Sequence, residues 1–321
     1  MTDNTWPTVD TELIDDVTLY SAKLIIPVTG PVIIDGAVAI HGDRVVHVGK
    51  RRWVLKALKQ EMTAHGTIHE RHWDGVLTPG LINAHTHLQY SGMVQVGQGT
   101  YDRFRAWELA FNEVYAEAQK TQPWKQWAED GARQMVESGT TAAADIVTDL
   151  DAAGALASQG MHGIAYWEVM GWHNAEWMEK GRTELIRQLR RMNEEQLPNL
   201  GISPHAPYTL ESEPFVDLPD IARQLNMRLH IHLAETPLEA GTYPPVLTTY
   251  SAADWSDHDW ESYRQLKEVG KGASAIQFVD QLGSLGPDVH IAHGVWANGE
   301  DRRILRQRGV GVALCPRSDR K

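Results

Sequence analysis

The sequence predicts an α/β protein whose main part is a (β/α)8-type barrel. From Val76 onwards, short apolar runs alternate with longer amphipathic stretches, which is the pattern of βα repeats around a parallel sheet. Several of these runs end in histidine, as expected where strands deliver side chains to one rim of a barrel. Before that point, apolar and polar residues alternate between Asp-Gly and Gly-Asp turns, which predicts a small sheet over residues 1–75.

Seven strands are expected within the predicted barrel domain, residues 76–321. They are placed near 76–85, 139–146, 162–169, 200–205, 227–233, 288–293 and 310–315. Helix candidates between them include 124–138, 178–196 and 214–226. A closed barrel of this type needs eight strands, and the chain stops at LCPRSDRK, directly after the seventh. The longer, more polar segment 239–272 is expected to be a lid or substrate loop.

The composition is typical of a globular protein and argues against several kinds of partner. Hydrophobic residues make up 42% and charged residues 22%, a balance typical of a soluble globular chain. The net charge of −12 argues against nucleic acid or an anionic membrane as a partner. The single cysteine, Cys315, excludes an internal disulfide and fits a reducing compartment. The chain also shows no signal-peptide pattern and no apolar run of membrane-spanning length, so we predict a cytoplasmic protein.

The segment LTPGLINAHTHL carries the first candidate ligands, His85 and His87. On a β-strand, residues i and i+2 point to the same face, so both imidazoles are expected to aim at one point. Imidazole is the commonest protein ligand for zinc and also suits iron. A single His-x-His pair is weak evidence, because this spacing also arises by chance.

Three later segments repeat the arrangement and strengthen it. They are GISPHAPYTL, which reaches His205; MRLHIHLAET, which carries His230, His232 and Glu235; and DVHIAHGVW, which reaches His293. Each polar residue follows a short apolar run and precedes turn residues or an amphipathic stretch. The regularity predicts that several strands bring their histidines to one rim, where a metal ion could be held.

This arrangement suggests hydrolytic chemistry. Glu235 is expected just beyond a strand end, near a metal held by His232, where a carboxylate could exchange a proton with the substrate. Metal-bound water titrates near neutrality and can supply hydroxide to an electrophilic carbon. His293 could be a further ligand or could hydrogen-bond to that water, and His205 could orient or polarise the substrate.

Structural explanations compete for several of these residues. His230 shares a face with His232 but lies one layer deeper, which favours a hydrogen-bonded core histidine. Trp107, on a predicted helix, is of a type more often found in a core, although it would suit an aromatic substrate. Asp145 is expected to be a buried strand-end carboxylate bonded to backbone. Glu168 could contact the substrate or simply pack.

In their order along the chain, the motifs PGLINAHTHL, SPHAPYT, HLAET, IAHG and CPRS resemble the amidohydrolase superfamily, and most closely its mononuclear branch of aromatic deaminases and chlorohydrolases. The resemblance implies a barrel flanked by a β-sandwich built partly from the N-terminal strands. It implies His85, His87 and His232 as metal ligands, Glu235 as proton shuttle, His293 as a catalytic histidine and His205 as a substrate contact. No lysine ends the fourth strand, so the resemblance favours one divalent ion, zinc rather than iron(II).

The chain departs from the family at its end. Members carry an aspartate after an eighth strand, which binds the metal and takes a proton from its water, and that motif is absent from this sequence. Asp319 follows the seventh strand, so geometry argues against it as a replacement. We therefore expect a shortened version of a longer protein.

The leading hypothesis is a metal-dependent hydrolase that deaminates an aminated nitrogen heterocycle. Chlorohydrolase-type dehalogenation of a heterocycle is the alternative within the same family. A catalytically incomplete homologue or fragment, without the strand-eight aspartate, is the rival from another class, and a barrel with purely structural histidines is a third. The expected partner is a small heterocyclic substrate, with no nucleic acid or membrane and with a possible homo-oligomer.

Overall fold

The computed structural model describes residues 13–102, 104–194, 197, 199–241, 266 and 269–316. The chain divides into two compact units, residues 1–80 and 81–321. The boundary predicted between residues 75 and 76 stays a prediction. None of the helices in the described ranges combines the length and apolar character that a bilayer crossing requires. The predicted loop at 239–272 falls largely outside these ranges, and Asp319 does so entirely.

Unit one is a four-stranded sheet with the order β3-β2-β1-β4. Its strands are β1 (Ile14–Ile25), β2 (Ile33–His41), β3 (Arg44–Lys50) and β4 (Met62–Leu77). The first three pair antiparallel, whereas β1 pairs parallel with β4. The predicted Gly-Asp turn joins β2 to β3 at Gly42 and Asp43, but the predicted Asp-Gly turn is wrong, because Asp35 and Gly36 lie within β2. The expectation of an N-terminal sheet is confirmed.

A helix that the sequence analysis did not predict connects β3 to β4. This helix, α1 (Arg51–Glu61), is the crossover that a parallel β1–β4 pair requires. Its buried residues Val54 and Leu58 pack against alternate residues of β1 and β2, including Val17 and Leu19. The strand expected near 76–85 begins later than predicted, because β4 ends at Leu77 and the next strand starts at Leu81.

Unit two contains seven parallel strands in a nearly closed barrel, and their order in the sheet follows their order in the chain. The strands are β5 (Leu81–Thr86), β6 (Thr140–Val147), β7 (His162–Val169), β8 (Leu200–Pro204), β9 (Arg228–Leu233), β10 (Val289–His293) and β11 (Gly311–Ala313). All seven expected strands are present, and the predicted fold class is confirmed. Because the strands are parallel, their carboxyl ends share one rim.

Helices fill the connections between these strands. They are α2 (Val94–Gln98), α3 (Phe104–Thr121), α4 (Trp124–Glu137), α5 (Ala155–Ser158), α6 (Asn174–Glu176), α7 (Arg182–Glu194), α8 (Ser212–Gln224), α9 (Ala275–Gln281) and α10 (Gly299–Arg308). The predicted helices correspond to α4, α7 and α8. Local signals define the last helix most clearly: the Asn298 side chain caps its first turn, and Gly309 ends it with a left-handed φ of 71°.

The core of unit two lies between the strands and the helices. Strand residues such as Ile202, Leu229 and Ile291 are fully buried, and helix residues such as Phe215 and Leu218 belong to the same cluster. Burial of both faces explains why these strands read as continuous apolar runs. The polar side chains that follow each run are left at the rim.

Candidate metal centre

The end of β5 brings His85 and His87 together. Their ring centroids lie 5.1 Å apart, with the ring planes at 88°. The Asp145 carboxylate, at the end of β6, accepts a 2.8 Å hydrogen bond from the backbone N–H of Leu88. This bond fixes the turn directly after His87. The i, i+2 spacing therefore produces the predicted convergence, with help from the neighbouring strand.

His232 joins this pair from β9, which lies four places along the sheet from β5. Its Nε2 is 3.2 Å from Nε2 of His87, and its ring centroid is 4.8 Å from that of His85. One potential ligand atom from each of the three side chains lies within 4.8 Å of the others. Residues distant in the sequence thus meet at one point of the rim.

Hydrogen bonds orient two of these rings. Nδ1 of His232 lies 3.1 Å from the carbonyl oxygen of His205, so it donates there and leaves Nε2 facing His87. Nδ1 of His85 lies 3.0 Å from Nε2 of His230. His230 is fully buried, as predicted, but its Nδ1 has no hydrogen-bond partner among the described residues. The hydrogen bond of its ring is therefore made to His85, a candidate metal ligand.

Burial keeps these imidazoles neutral. Desolvation, together with the neighbouring histidines, lowers the pKa of His87 to about 3. The same causes hold the pKa of His85 and of His232 well below the ordinary value. Because metal ligation requires unprotonated imidazole, the rings do not need to lose protons near neutral pH to bind an ion.

The three histidines fit one divalent ion. Zinc–nitrogen bonds of about 2.0–2.1 Å in tetrahedral geometry place two ligand nitrogens about 3.3 Å apart. The separation between His87 Nε2 and His232 Nε2 is 3.2 Å. Neutral, closely spaced imidazole nitrogens are the donor set that zinc and iron(II) accept. His85, His87 and His232 are therefore the residues that would hold the ion.

Glu235 and His293 lie next to this cluster. Nε2 of His293, at the end of β10, is 3.7 Å from Oε1 of Glu235. The Tyr208 hydroxyl donates a 3.1 Å hydrogen bond to the other oxygen of Glu235. The Glu235 side chain keeps 17% of its surface exposed, so it can exchange protons with a molecule in the cavity.

The backbone that presents Glu235 is fixed by a second glutamate. The buried carboxylate of Glu239 accepts 2.9 Å hydrogen bonds from the N–H groups of Ala234, Glu235 and Thr236. These bonds hold Ala234 at a φ of 55°, a left-handed conformation that costs energy for a residue with a side chain. The strained turn lifts Glu235 beyond the end of β9.

Two further carboxyl groups are buried at the rim, Asp145 and Glu168. Desolvation raises the pKa of each to about 8, although for Asp145 the Leu88 N–H bond opposes the shift. Glu168 Oε1 is 3.8 Å from Nδ1 of His232, which is beyond hydrogen-bond distance. Asp145 is bonded to backbone, as expected.

A cavity of about 360 Å³ opens onto the cluster. Every site residue singled out from the sequence lines it: His85, His87, Trp107, His205, His232, Glu235 and His293. The Thr209 hydroxyl lies 2.7 Å from Nδ1 of His205, and burial lowers the pKa of that histidine to about 4. The aromatic rings of Trp107 and Phe111, from α3, supply apolar wall suited to a flat heterocycle.

Sequence reasoning missed several residues at this site. Tyr208 lies within the SPHAPYT motif, and Glu239 follows HLAET by three positions, so considering every polar residue in and beside the motifs could have found both. Cys315 Sγ lies within 4.8 Å of a ring nitrogen of His85 and of His293. No local sequence pattern predicts that Cys315, after β11, lies near His85 of β5 and His293 of β10. Their proximity results from the curvature of the sheet into a nearly closed barrel.

Comparison with known proteins agrees with the geometry. The sequence model of the Amidohydrolase family matches residues 76–243. A 5-methylthioadenosine/S-adenosylhomocysteine deaminase from Thermococcus kodakarensis is 30% identical over 252 residues, which are 77% of this chain and 53% of that protein. A protein of the same name from Moorella thermoacetica is 28% identical over 309 residues, 92% of this chain and 62% of its own. The chain thus spans about half to three-fifths of the length of these relatives.

Two solved structures show the same fold. A zinc-bound adenosine deaminase from Xanthomonas campestris aligns with a TM-score of 0.67 and 21% identity, covering 95% of this chain and 63% of its own. Atrazine chlorohydrolase from Arthrobacter aurescens TC1, also with zinc, aligns with a TM-score of 0.69 and 17% identity, covering 92% of this chain and 64% of its own.

Proposed function

This chain belongs to the amidohydrolase family, and from that premise we propose that it hydrolytically deaminates an aminated, purine-like heterocycle. The observation that carries the proposal is the meeting of His85, His87 and His232 beside Glu235 in one cavity. The curated relatives cited above are named as deaminases of adenine nucleosides, which favours deamination over dehalogenation.

The three histidines would hold one divalent ion, with zinc preferred to iron(II). When bound, the ion supplies Lewis acidity that activates water near neutral pH. Glu235 would take one proton from the attacking water and give it to the ring nitrogen next to the attacked carbon. The proton of the added hydroxyl group would go to the exocyclic amine, which leaves as ammonia. Tyr208 hydrogen-bonds to the Glu235 carboxylate, and His293, whose Nε2 is 3.7 Å from that carboxylate, would hydrogen-bond to the attacking water.

The substrate is placed by the cavity wall. His205 is oriented by Thr209 and can hydrogen-bond to the heterocycle, and Trp107 can stack on it. Buried walls exclude bulk water and so strengthen these contacts. A cytoplasmic location and a homo-oligomer stay predictions.

The test is ammonia release by metal-loaded protein from 5′-methylthioadenosine and adenosine, with a chlorotriazine as the dehalogenation arm. We expect ammonia from an adenine nucleoside and one metal ion per chain. Chloride release alone would instead support the chlorohydrolase alternative. Stoichiometric metal without hydrolysis of any compound would support the catalytically incomplete homologue, and absence of metal would support structural histidines.

A further inference from the structure

A second cavity, of about 400 Å³, adjoins the candidate metal centre. Both cavities are lined by Tyr90, Phe111, Asn112, Glu168 and Met170, so the two spaces share a wall. The second cavity continues between the end of β7 and helix α7, where its lining includes Trp167 and Trp172. A substituent of a ring bound beside the histidines would reach this space past the shared side chains.

Glu168 lines both cavities and makes no hydrogen bond to a described residue through its buried Oε1. The residue is 7% exposed. Nδ1 of His232 is 3.8 Å from Oε1 and already donates to the His205 carbonyl oxygen. A buried carboxyl group without a partner is costly, so a ligand that donates a hydrogen bond here gains affinity.

The polar lining of the second cavity favours an uncharged ligand group. Its other acidic side chain, Glu184, is paired with Arg187 at 3.1 Å, whereas Glu168 forms no ion pair with a lysine or arginine of the described residues. None of the described lining residues is lysine or arginine. Lys180, whose ammonium is 5.8 Å from the Trp172 ring centroid, does not line the cavity. An anionic group would therefore leave bulk water without a compensating cation among these lining residues.

We propose that the second cavity binds an uncharged, hydroxylated substituent of the heterocyclic substrate, and that Glu168 hydrogen-bonds to a hydroxyl of that substituent. The inference rests on the proposed function for the heterocycle in the first cavity. It adds a site for the substituent and makes Glu168 a specificity-determining residue. Heterocycles with a carboxylate or phosphate in the same position are disfavoured.

Binding of deaminated compounds tests this without requiring turnover. Calorimetry on the metal-loaded protein would compare hypoxanthine, inosine and inosine 5′-monophosphate. We expect inosine to bind about tenfold or more tightly than hypoxanthine, and the monophosphate to bind more weakly than inosine. Equal affinity for hypoxanthine and inosine, or a preference for the monophosphate, would overturn the inference.

Variants assign the preference to the carboxyl group. Glu168→Leu should abolish the preference for inosine over hypoxanthine, and Glu168→Gln, which keeps the side-chain shape, should reduce it. Glu179→Gln, an exposed charge-matched control, should leave it unchanged. Loss of metal in both Glu168 variants, or an unchanged preference in both, would overturn the role of Glu168. An intact preference with no deamination of adenosine would contradict the proposed function while leaving this site supported.

Discussion

Two glutamates line the cavity beside the three histidines, but they differ in exposure and in hydrogen-bond partners. Glu235 follows β9, keeps 17% of its side chain exposed, and has Tyr208 and His293 beside its oxygens. Glu168 ends β7, has 3% of its side chain exposed, and makes no hydrogen bond to a described residue through its buried Oε1. A carboxyl group that transfers protons needs access to the substrate and hydrogen-bond partners that orient it. A carboxyl group that recognises a ligand can lack a partner until the ligand binds. Under the proposed function, proton transfer would therefore occur on the β9–β10 side of the cavity and ligand recognition on the β7 side.

Replacement of Glu235 gives the largest expected effect. Glu235→Gln keeps the shape and the Tyr208 contact but cannot transfer a proton, so kcat should fall about a thousandfold. Metal content should be unchanged, because the three histidines are untouched. Ammonia-release kinetics with metal analysis measure both, and Glu179→Gln is the charge-matched control.

Replacement of Glu168 should affect a different kinetic parameter from replacement of Glu235. Glu168→Gln should act mainly by raising KM for a hydroxylated substrate, since it removes ligand binding rather than proton transfer. A fall in kcat equal to that of Glu235→Gln, with KM unchanged, would abolish the distinction between the two glutamates.

Asp145 tests how the rim supports the ligands. Asp145→Ala leaves the buried N–H of Leu88 unsatisfied beside His87, and we expect metal affinity to fall about ten- to a hundredfold. Asp145→Asn keeps an acceptor oxygen and should retain most of the affinity. Competition with a chromogenic chelator measures both, and equal losses in the two variants would rule out the hydrogen bond as the cause.

The smallest effect concerns the pH dependence of unit one. Glu70 accepts two hydrogen bonds from Arg51, and these, with Ser21, lower its pKa from 4.5 to about 2. A depressed pKa in the folded state stabilises the fold above pH 4.5, and the contribution is lost as the pH falls towards 2. Because the pair is partly solvated, we expect at most about 1 kcal/mol.

Urea unfolding measures this contribution. Glu70→Gln should lower the free energy of unfolding near neutral pH and flatten its decline between pH 4.5 and 2. An identical decline in the variant and the parent would show that the ion pair contributes nothing measurable.

The sequence predicted the parts of the site that depend on strand periodicity. His85, His87, His232 and His293 each end or follow an apolar run, and parallel strands carry such residues to one rim whatever the helices between them do. The unsatisfied state of Glu168 was not predictable, because it depends on which donors its neighbours have already used. That state is a property of packing rather than of pattern.

Unit one shows the limit of periodicity more clearly. In β4 the run MTAHGTIHERHWDGV mixes glycine, histidine and charge, and its strand conformation comes from pairing with β1. Helix α1 follows from the same pairing, since a parallel partner requires a crossover. Strand β4 and helix α1 both depend on pairing between residues far apart in the sequence, which a local pattern of residues does not reveal.

X-ray absorption spectroscopy of the zinc-loaded protein tests the central claim most directly. The convergence of His85, His87 and His232 predicts one ion per chain with three imidazole nitrogens at about 2.0–2.1 Å, and two in His87→Ala. A spectrum with fewer than three imidazole ligands in the parent protein, or one unchanged in His87→Ala, would contradict it.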